Sequence, residues 1–128
     1  MVFLVTEDSR PTRNLVKNYI GELKLDFPYL VLEAENAEAA LNIMKTRSVD
    51  FVFLDWNLSD KMTGLDVLKE IRKMDAYKEI PVFMVSGESD KINVIVAMKC
   101  GAKDFIAKPI DKKTFMEKVL KVIKEIKK

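Results

Sequence analysis

Histidine is absent from this chain of 128 residues, and cysteine occurs once, at Cys100. Those absences exclude Ser-His-Asp triads, Cys-His dyads and zinc sites built from His and Cys, and they leave no internal disulfide to form. Glycine is scarce as well. The four glycines, at 21, 64, 87 and 101, stand too far apart for the phosphate-cradling GxxxxGKS or GxGxxG loops. No apolar run approaches the ~20 residues of a membrane span, and Met1 runs straight into the first apolar strand with no signal peptide before it, so no membrane insertion and a cytoplasmic location are expected. Charge is nearly balanced, 22 basic against 20 acidic residues for a net +2, and this composition gives no reason to expect direct nucleic-acid contact. What remains is carboxylate, hydroxyl and amine chemistry. A length of 128 residues with 48% hydrophobic composition fits one domain spanning 1-128 with a substantial core.

Five apolar, strand-forming runs alternate with five helical patterns. Val2 to Val5 reads as a buried strand, and Ser9 with Pro11 reads as the start of a helix to Leu23 or Lys24, with Leu15, Tyr19, Ile20 and Leu23 inward. Tyr29 to Ala34 is the second strand. Asn36 caps a helix through Arg47 with Ala39, Ala40, Ile43 and Met44 inward, and the third strand ends at Asp55. Gly64 opens a helix carrying Leu65, Leu68 and Ile71 on one face, Pro81 enters the strand Val82 to Val85, and a helix from Asp90 to Cys100 stops at Gly101. The fifth strand is Asp104 to Ala107, and Asp111 starts the last helix. Because the strands are continuous apolar runs and not alternating ones, the sheet is expected to be parallel and covered on both faces, an α/β fold.

In such a sheet the carboxyl ends of the strands share one edge, where open α/β sheets place their ligands. The residues there are Glu7-Asp8, Glu33-Ala34-Glu35, Asp55, Ser86-Gly87 and Lys108-Pro109. Clustered acids can hold a divalent cation, one of them can act as a nucleophile, and a lysine with a hydroxyl can neutralise and bind a phosphoryl group. Each residue also has a plainer reading. Asp8 or Ser9 can cap a helix, Ser86 can be a turn residue, and Lys108 a solvated charge. Five such residues, Glu7, Asp8, Asp55, Ser86 and Lys108, at four strand ends in the order acid pair, Asp, Ser, Lys-Pro favour the joint reading.

Glu7-Asp8-Ser9-Arg10, Leu54-Asp55-Trp56-Asn57, Ser86-Gly87-Glu88 and Lys108-Pro109 together resemble the signature of receiver domains of two-component response regulators, closest to the free-standing chemotaxis (CheY-like) type. The resemblance covers essentially the whole chain. It implies a single-domain, doubly wound, five-stranded parallel sheet with five helices, flavodoxin-like, in strand order 2-1-3-4-5, and a cis bond before Pro109. It further implies a phosphorylation switch: Asp55 accepts a phosphoryl group from a phosphohistidine of a sensor histidine kinase or phosphotransfer protein. Mg²⁺, with Mn²⁺ as the alternative, would be bound by Asp8, Asp55 and the backbone carbonyl of Asn57, with Glu7 acting mostly through water. Lys108 would pair with Asp55 and then with a phosphoryl oxygen, and Ser86 with another. Phe105 falls where the family carries an aromatic switch residue, although a core phenylalanine is the equal alternative. Asn57 and Glu88 would tune access of the water that ends the signal. The chain would assist its own phosphorylation and dephosphorylation without being an enzyme on other substrates, as a monomer or a phosphorylation-dependent dimer.

Helix four carries Ile92, Val94, Ile95, Val96, Ala97 and Met98, more apolar surface than one core-facing stripe needs. By the same resemblance the surface of helix four, strand five and helix five, including Lys99, meets a downstream protein. The lysines of the last helix read as a solvated face or as a face for an acidic partner. Cys100 reads as a buried small hydrophobe. Two features depart from the family: Ser59 stands where a proline is usual, and the stretch from Asn57 to Gly64 is one residue longer. Two other functions are weighed against the switch. Haloacid-dehalogenase-like aspartyl phosphatases use Asp-x-Asp, whereas Asp55-Trp56-Asn57 lacks the second Asp, and a pseudo-receiver scaffold would never be phosphorylated.

Overall fold

A computed structural model describes residues 1–59, 61–87 and 91–127, with the side chain of Lys91 left aside. The elements run β1 (Val2–Thr6), α1 (Arg10–Glu22), β2 (Leu30–Ala34), α2 (Ala37–Thr46), β3 (Phe51–Asp55), α3 (Gly64–Lys73), a 3₁₀ turn (Asp75–Tyr77), β4 (Val82–Ser86), α4 (Lys91–Lys99), β5 (Asp104–Ala107) and α5 (Lys112–Ile126). All strand pairings are parallel, in the order β2-β1-β3-β4-β5. The expected flavodoxin-like α/β architecture is therefore present, and the Lys108-Pro109 bond is cis.

Local chemistry explains where the helices begin. Ser9, Asn36 and Asp111 each accept a backbone N–H of the first turn, as capping side chains do. Helix α3 has a reciprocal cap that the sequence reading did not identify: the Thr63 hydroxyl accepts from the Asp66 N–H, and the Asp66 carboxylate accepts from the Thr63 N–H. Helix α4 ends as expected at Gly101, whose φ of 103° is open to glycine. There the Gly101 N–H bonds the Met98 carbonyl and the Ala102 N–H bonds the Ala97 carbonyl, the paired bonds that close a helix through a left-handed residue.

The pleat divides the interior into two clusters. On one face Phe3, Val5, Phe51, Phe53, Phe83, Val85 and Ile106 pack under α1 and α5, with Val16, Ile20, Phe115, Val119 and Val122 completing the layer. On the other, Leu4, Val52, Leu54, Val82 and Met84 meet Ala37, Ala40, Met44, Val67, Leu68, Ile71 and Ala97 from α2, α3 and α4. Some inward positions are shifted from expectation. In α1 it is Val16 and Ile20 that are buried, with Leu15 and Tyr19 half-buried beside them. In α3 Val67 replaces Leu65 as a fully buried residue, and in α2 Ala37 joins Ala40 and Met44 while Ala39 and Ile43 are half-buried. The two edge strands are only partly covered. Leu30 of β2 is 46% exposed, so continuous apolar character holds for the three inner strands and overstates burial at the edges. Cys100 is half-buried, at the rim of the second cluster, and not fully buried as expected.

Candidate functional site

The sheet register gathers the acids. Thr6 lies beside both Ala34 and Leu54, so the residues that follow, Glu7 just past β1 and Asp55 at the end of β3, emerge side by side; Val85 is the partner of Asp55, and Ser86 follows it. One carboxylate oxygen each from Glu7, Asp8 and Asp55 lie within 4.8 Å of one another. Glu7 and Asp55 are each 3% exposed and Asp8 is open to solvent, so the cluster has a buried floor and an accessible mouth.

Lys108 enters from the loop after β5 and bridges the floor. Its Nζ lies 2.6 Å from Glu7 Oε1 and 3.2 Å from Asp55 Oδ2. The expected Lys108–Asp55 pair is present, but the shorter contact is to Glu7. Burial works against the ammonium charge here; the hydrogen bond to Glu7 and the attraction of Asp55 and Glu7 outweigh it and hold Lys108 above the ordinary lysine pKa. Glu7 is fixed at both oxygens, since Oε2 accepts the Ser9 N–H at 3.1 Å. Asp8 sits above the usual aspartate value, first through its hydrogen bond with Glu7, then through burial and the repulsion of that neighbouring carboxylate. Asp55 Oδ1 accepts the Asn57 N–H at 3.4 Å, which turns the Asn57 loop over the acid.

Gly64 holds this loop close. Its N–H bonds the Trp56 carbonyl at 2.7 Å, and a Cβ on Gly64 would fall well inside contact distance of the Asp55 carbonyl. The α3 terminus can therefore pack directly on the backbone of Asp55 only because residue 64 has no side chain. Ser86 is buried, at 1% exposure, at the end of β4. Phe105 is half-buried against the α2–α4 side of the core, with its carbonyl accepting from Lys118 Nζ at 2.6 Å. Asn57 is exposed beside Asp55, whereas Glu88 lies outside the described residues.

Arg13 was not singled out by any sequence motif, yet it touches the site's backbone. Its Nη1 donates to the Glu7 carbonyl at 2.7 Å and to the Asp8 carbonyl at 3.3 Å, while Nε pairs with Glu33 Oε1 at 3.2 Å. Of the strand-end acids, Glu33 thus turns away from the cluster to Arg13 and Lys17, and its carboxyl is held below the ordinary glutamate value, chiefly by the hydrogen bond to Lys17. The signal available beforehand was only an arginine one turn into the helix that follows the acid pair.

Three hard carboxylate oxygens sharing a mouth fit a small divalent cation such as Mg²⁺, which takes one or two carboxylates and keeps waters for its remaining positions. The fold and the strand-end acids, hydroxyl and lysine define a class: a doubly wound α/β protein whose ligand edge is equipped for phosphoryl chemistry. The family model of the response regulator receiver domain matches residues 3–120. A curated chemotaxis protein CheY homolog of Campylobacter jejuni is 35% identical over 124 residues, which make up 96% of this chain and 92% of its own. Among solved structures, the receiver domain of NtrX from Brucella abortus aligns with a TM-score of 0.82 at 29% identity, covering 95% of this chain and 98% of its own. The chemotaxis response regulator CheY4 of Vibrio cholerae shares the fold, with a TM-score of 0.84 at 24% identity over 94% of this chain and 97% of its own. The chain belongs to the response regulator receiver domain family. It is accordingly a CheY-like receiver of two-component signalling, a class of phosphorylation-dependent switches that take a signal from kinases and pass it to downstream targets, and the dehalogenase-like phosphatase is set aside. No helix among the described residues is long and apolar enough to cross a membrane.

Proposed function

We propose that Asp55 is the phosphoacceptor of a Mg²⁺-dependent phosphorylation switch formed by residues 1-128 and acting in the cytoplasm. The single observation that carries this reading is the convergence of the Glu7, Asp8 and Asp55 carboxylates within 4.8 Å, with the Lys108 ammonium bridging two of them. An Asp55 oxygen attacks phosphorus of a phosphohistidine on a sensor histidine kinase or phosphotransfer protein; the P–N bond breaks, the imidazole leaves with a proton, and an acyl phosphate forms. Asp8, Asp55 and the Asn57 carbonyl would hold Mg²⁺, with Glu7 as an outer partner, and the ion would supply positive charge to the phosphoryl oxygens.

The chain's own residues do the rest. Lys108, already positioned by Glu7, exchanges its contact with Asp55 for a phosphoryl oxygen, so the transferred charge meets a cation already held at the site. The Ser86 hydroxyl binds a second oxygen, which draws the loop into α4 toward Asp55 and gives Phe105 room to turn inward. Asn57 and Glu88 then set how readily water reaches the acyl phosphate. A downstream protein reads the face of α4, β5 and α5, where Ile92 is 68%, Ile95 53% and Met98 46% exposed. An apolar strip of this kind on a helix suits a protein contact.

The test is incubation with Mg²⁺ and a small phosphodonor, followed by intact mass and peptide mapping. Addition of one phosphoryl group to the native chain and none to Asp55→Asn supports the switch. Mapping of the group to Ser86 or Thr63 removes Asp55 from the role, and no addition at all favours the unphosphorylated scaffold.

A further inference from the structure

We propose that Arg13, braced by Glu33, is the positioning residue of the cation site, fixing the backbone of the acid pair so that two repelling carboxylates face one ion; this rests on the function proposed above. Glu7 and Asp8 are consecutive residues whose carboxylates share the pocket with Asp55. Their carboxylates carry like charge, which Lys108, 2.6 Å from Glu7, offsets only in part, so the pair needs support from elsewhere. Their backbone carbonyls are the opposing handle. Both are bound by a single Arg13 nitrogen, Nη1, at 2.7 and 3.3 Å.

The guanidinium is itself located by a separate strand. Glu33 of β2 accepts from Nε at 3.2 Å, and the Arg13 side chain is only 11% exposed. The planar fork matters: Nη1 reaches the acid-pair carbonyls while Nε reaches Glu33, a span that the single ammonium of lysine does not reproduce. The chain of contacts therefore runs from edge strand β2, through an arginine of α1, to the backbone of Glu7 and Asp8. Arg13 touches no carboxylate of the cluster in this arrangement, so its effect is on how the acids are held and not on which groups react. Supports of this kind around a metal site are typically worth ~10–100-fold in affinity.

The experiment titrates Mg²⁺ against the intact protein by the fluorescence of Trp56, next to Asp55, and measures the Mg²⁺ dependence of labelling by a small phosphodonor. Arg13→Met is expected to raise the Mg²⁺ Kd by roughly tenfold, with Arg13→Lys recovering only part of the loss. Glu33→Gln should give a smaller rise in the same direction. Lys17→Met, which removes the other partner of Glu33 and leaves Arg13 in place, should bind Mg²⁺ like the native chain. Labelling should need more Mg²⁺ in Arg13→Met yet reach the native rate at saturation, a split that general loosening of the fold would not produce. Native Mg²⁺ affinity in Arg13→Met, or a saturating rate that falls as far as the affinity, overturns the inference. Where Arg13→Met does not fold, Glu33→Gln decides it, and native affinity there removes the brace. Failure of the native chain to bind Mg²⁺ is a different result, since it rejects the proposed function before any variant is compared.

Discussion

Helices α4 and α5 flank the same edge strand and are held by opposite means. Helix α5 is capped by Asp111, which accepts from both the N–H and the hydroxyl of Thr114, and it sinks Phe115, Val119, Val122 and Ile123 into the phenylalanine-rich cluster. Four such side chains, at about 1.5–3 kcal/mol each for full burial, fix the helix by packing. Among the described side chains of α4 only Ala97 is buried. Ile92, Ile95 and Met98 are exposed, and among the described residues Arg72 fastens the segment just past its C-terminal end, donating to the Gly101 carbonyl at 2.6 Å as well as to the Tyr77 and Ile80 carbonyls at 2.8 Å. On the function proposed above, the shallowly buried helix is the one expected to shift on phosphorylation and the packed one to stay in place.

The comparison can be broken most directly at α5. Phe115→Ala should cost about 3–5 kcal/mol in denaturant unfolding, since it opens a cavity beside Phe53 and Tyr19; a cost below about 1 kcal/mol would mean that packing does not hold α5. Arg72→Met comes next. It removes the donor shared by the part-buried Tyr77 and Ile80 carbonyls and the exposed Gly101 carbonyl and should cost about 1–3 kcal/mol, with faster amide exchange concentrated at the end of α4 and the start of β5. Exchange that rises evenly over the chain would show that Arg72 is no local tie.

A smaller effect concerns Lys108, in the loop entering α5. Its folded pKa is raised, so its contribution is fully present below the unfolded value of 10.5 and is lost as pH rises through the folded one. The stability difference between the native chain and Lys108→Met should stay level from neutral pH to about 10 and close above it; closure between pH 5 and 8 would assign it to another group. Smallest of all is Ile95→Ser on the open face of α4, expected to alter stability by no more than about 0.5 kcal/mol while weakening capture of a downstream partner.

The difference between the two helices was partly legible in the residues. The surplus of apolar positions in α4 points to an outward face from the sequence alone, because one stripe can meet the core and the remainder must face solvent. Strand ends and the caps at Ser9, Asn36 and Asp111 were legible from local chemistry, unlike the Thr63–Asp66 cap, and the strand ends placed Glu7, Asp8, Asp55, Ser86 and Lys108 on one edge. Strand order was not. It depends on which crossovers pass which face, and came only through the family resemblance. Periodicity also left the rotation of α1 and α3 uncertain by one residue, which is why Val16 and Val67 were not named as core. Arg13 has no motif of its own although it lies close in sequence to the acid pair, and the shorter of the two Lys108 contacts joins opposite ends of the chain, which local patterns do not reveal.

Both helices matter to function only if charge arrives at Asp55, so the decisive measurement is the intact mass of the native chain and of Asp55→Asn after incubation with Mg²⁺ and a small phosphodonor. The account predicts one added phosphoryl group on the native chain, dependent on Mg²⁺, and none on the variant. Equal labelling of the two would contradict it.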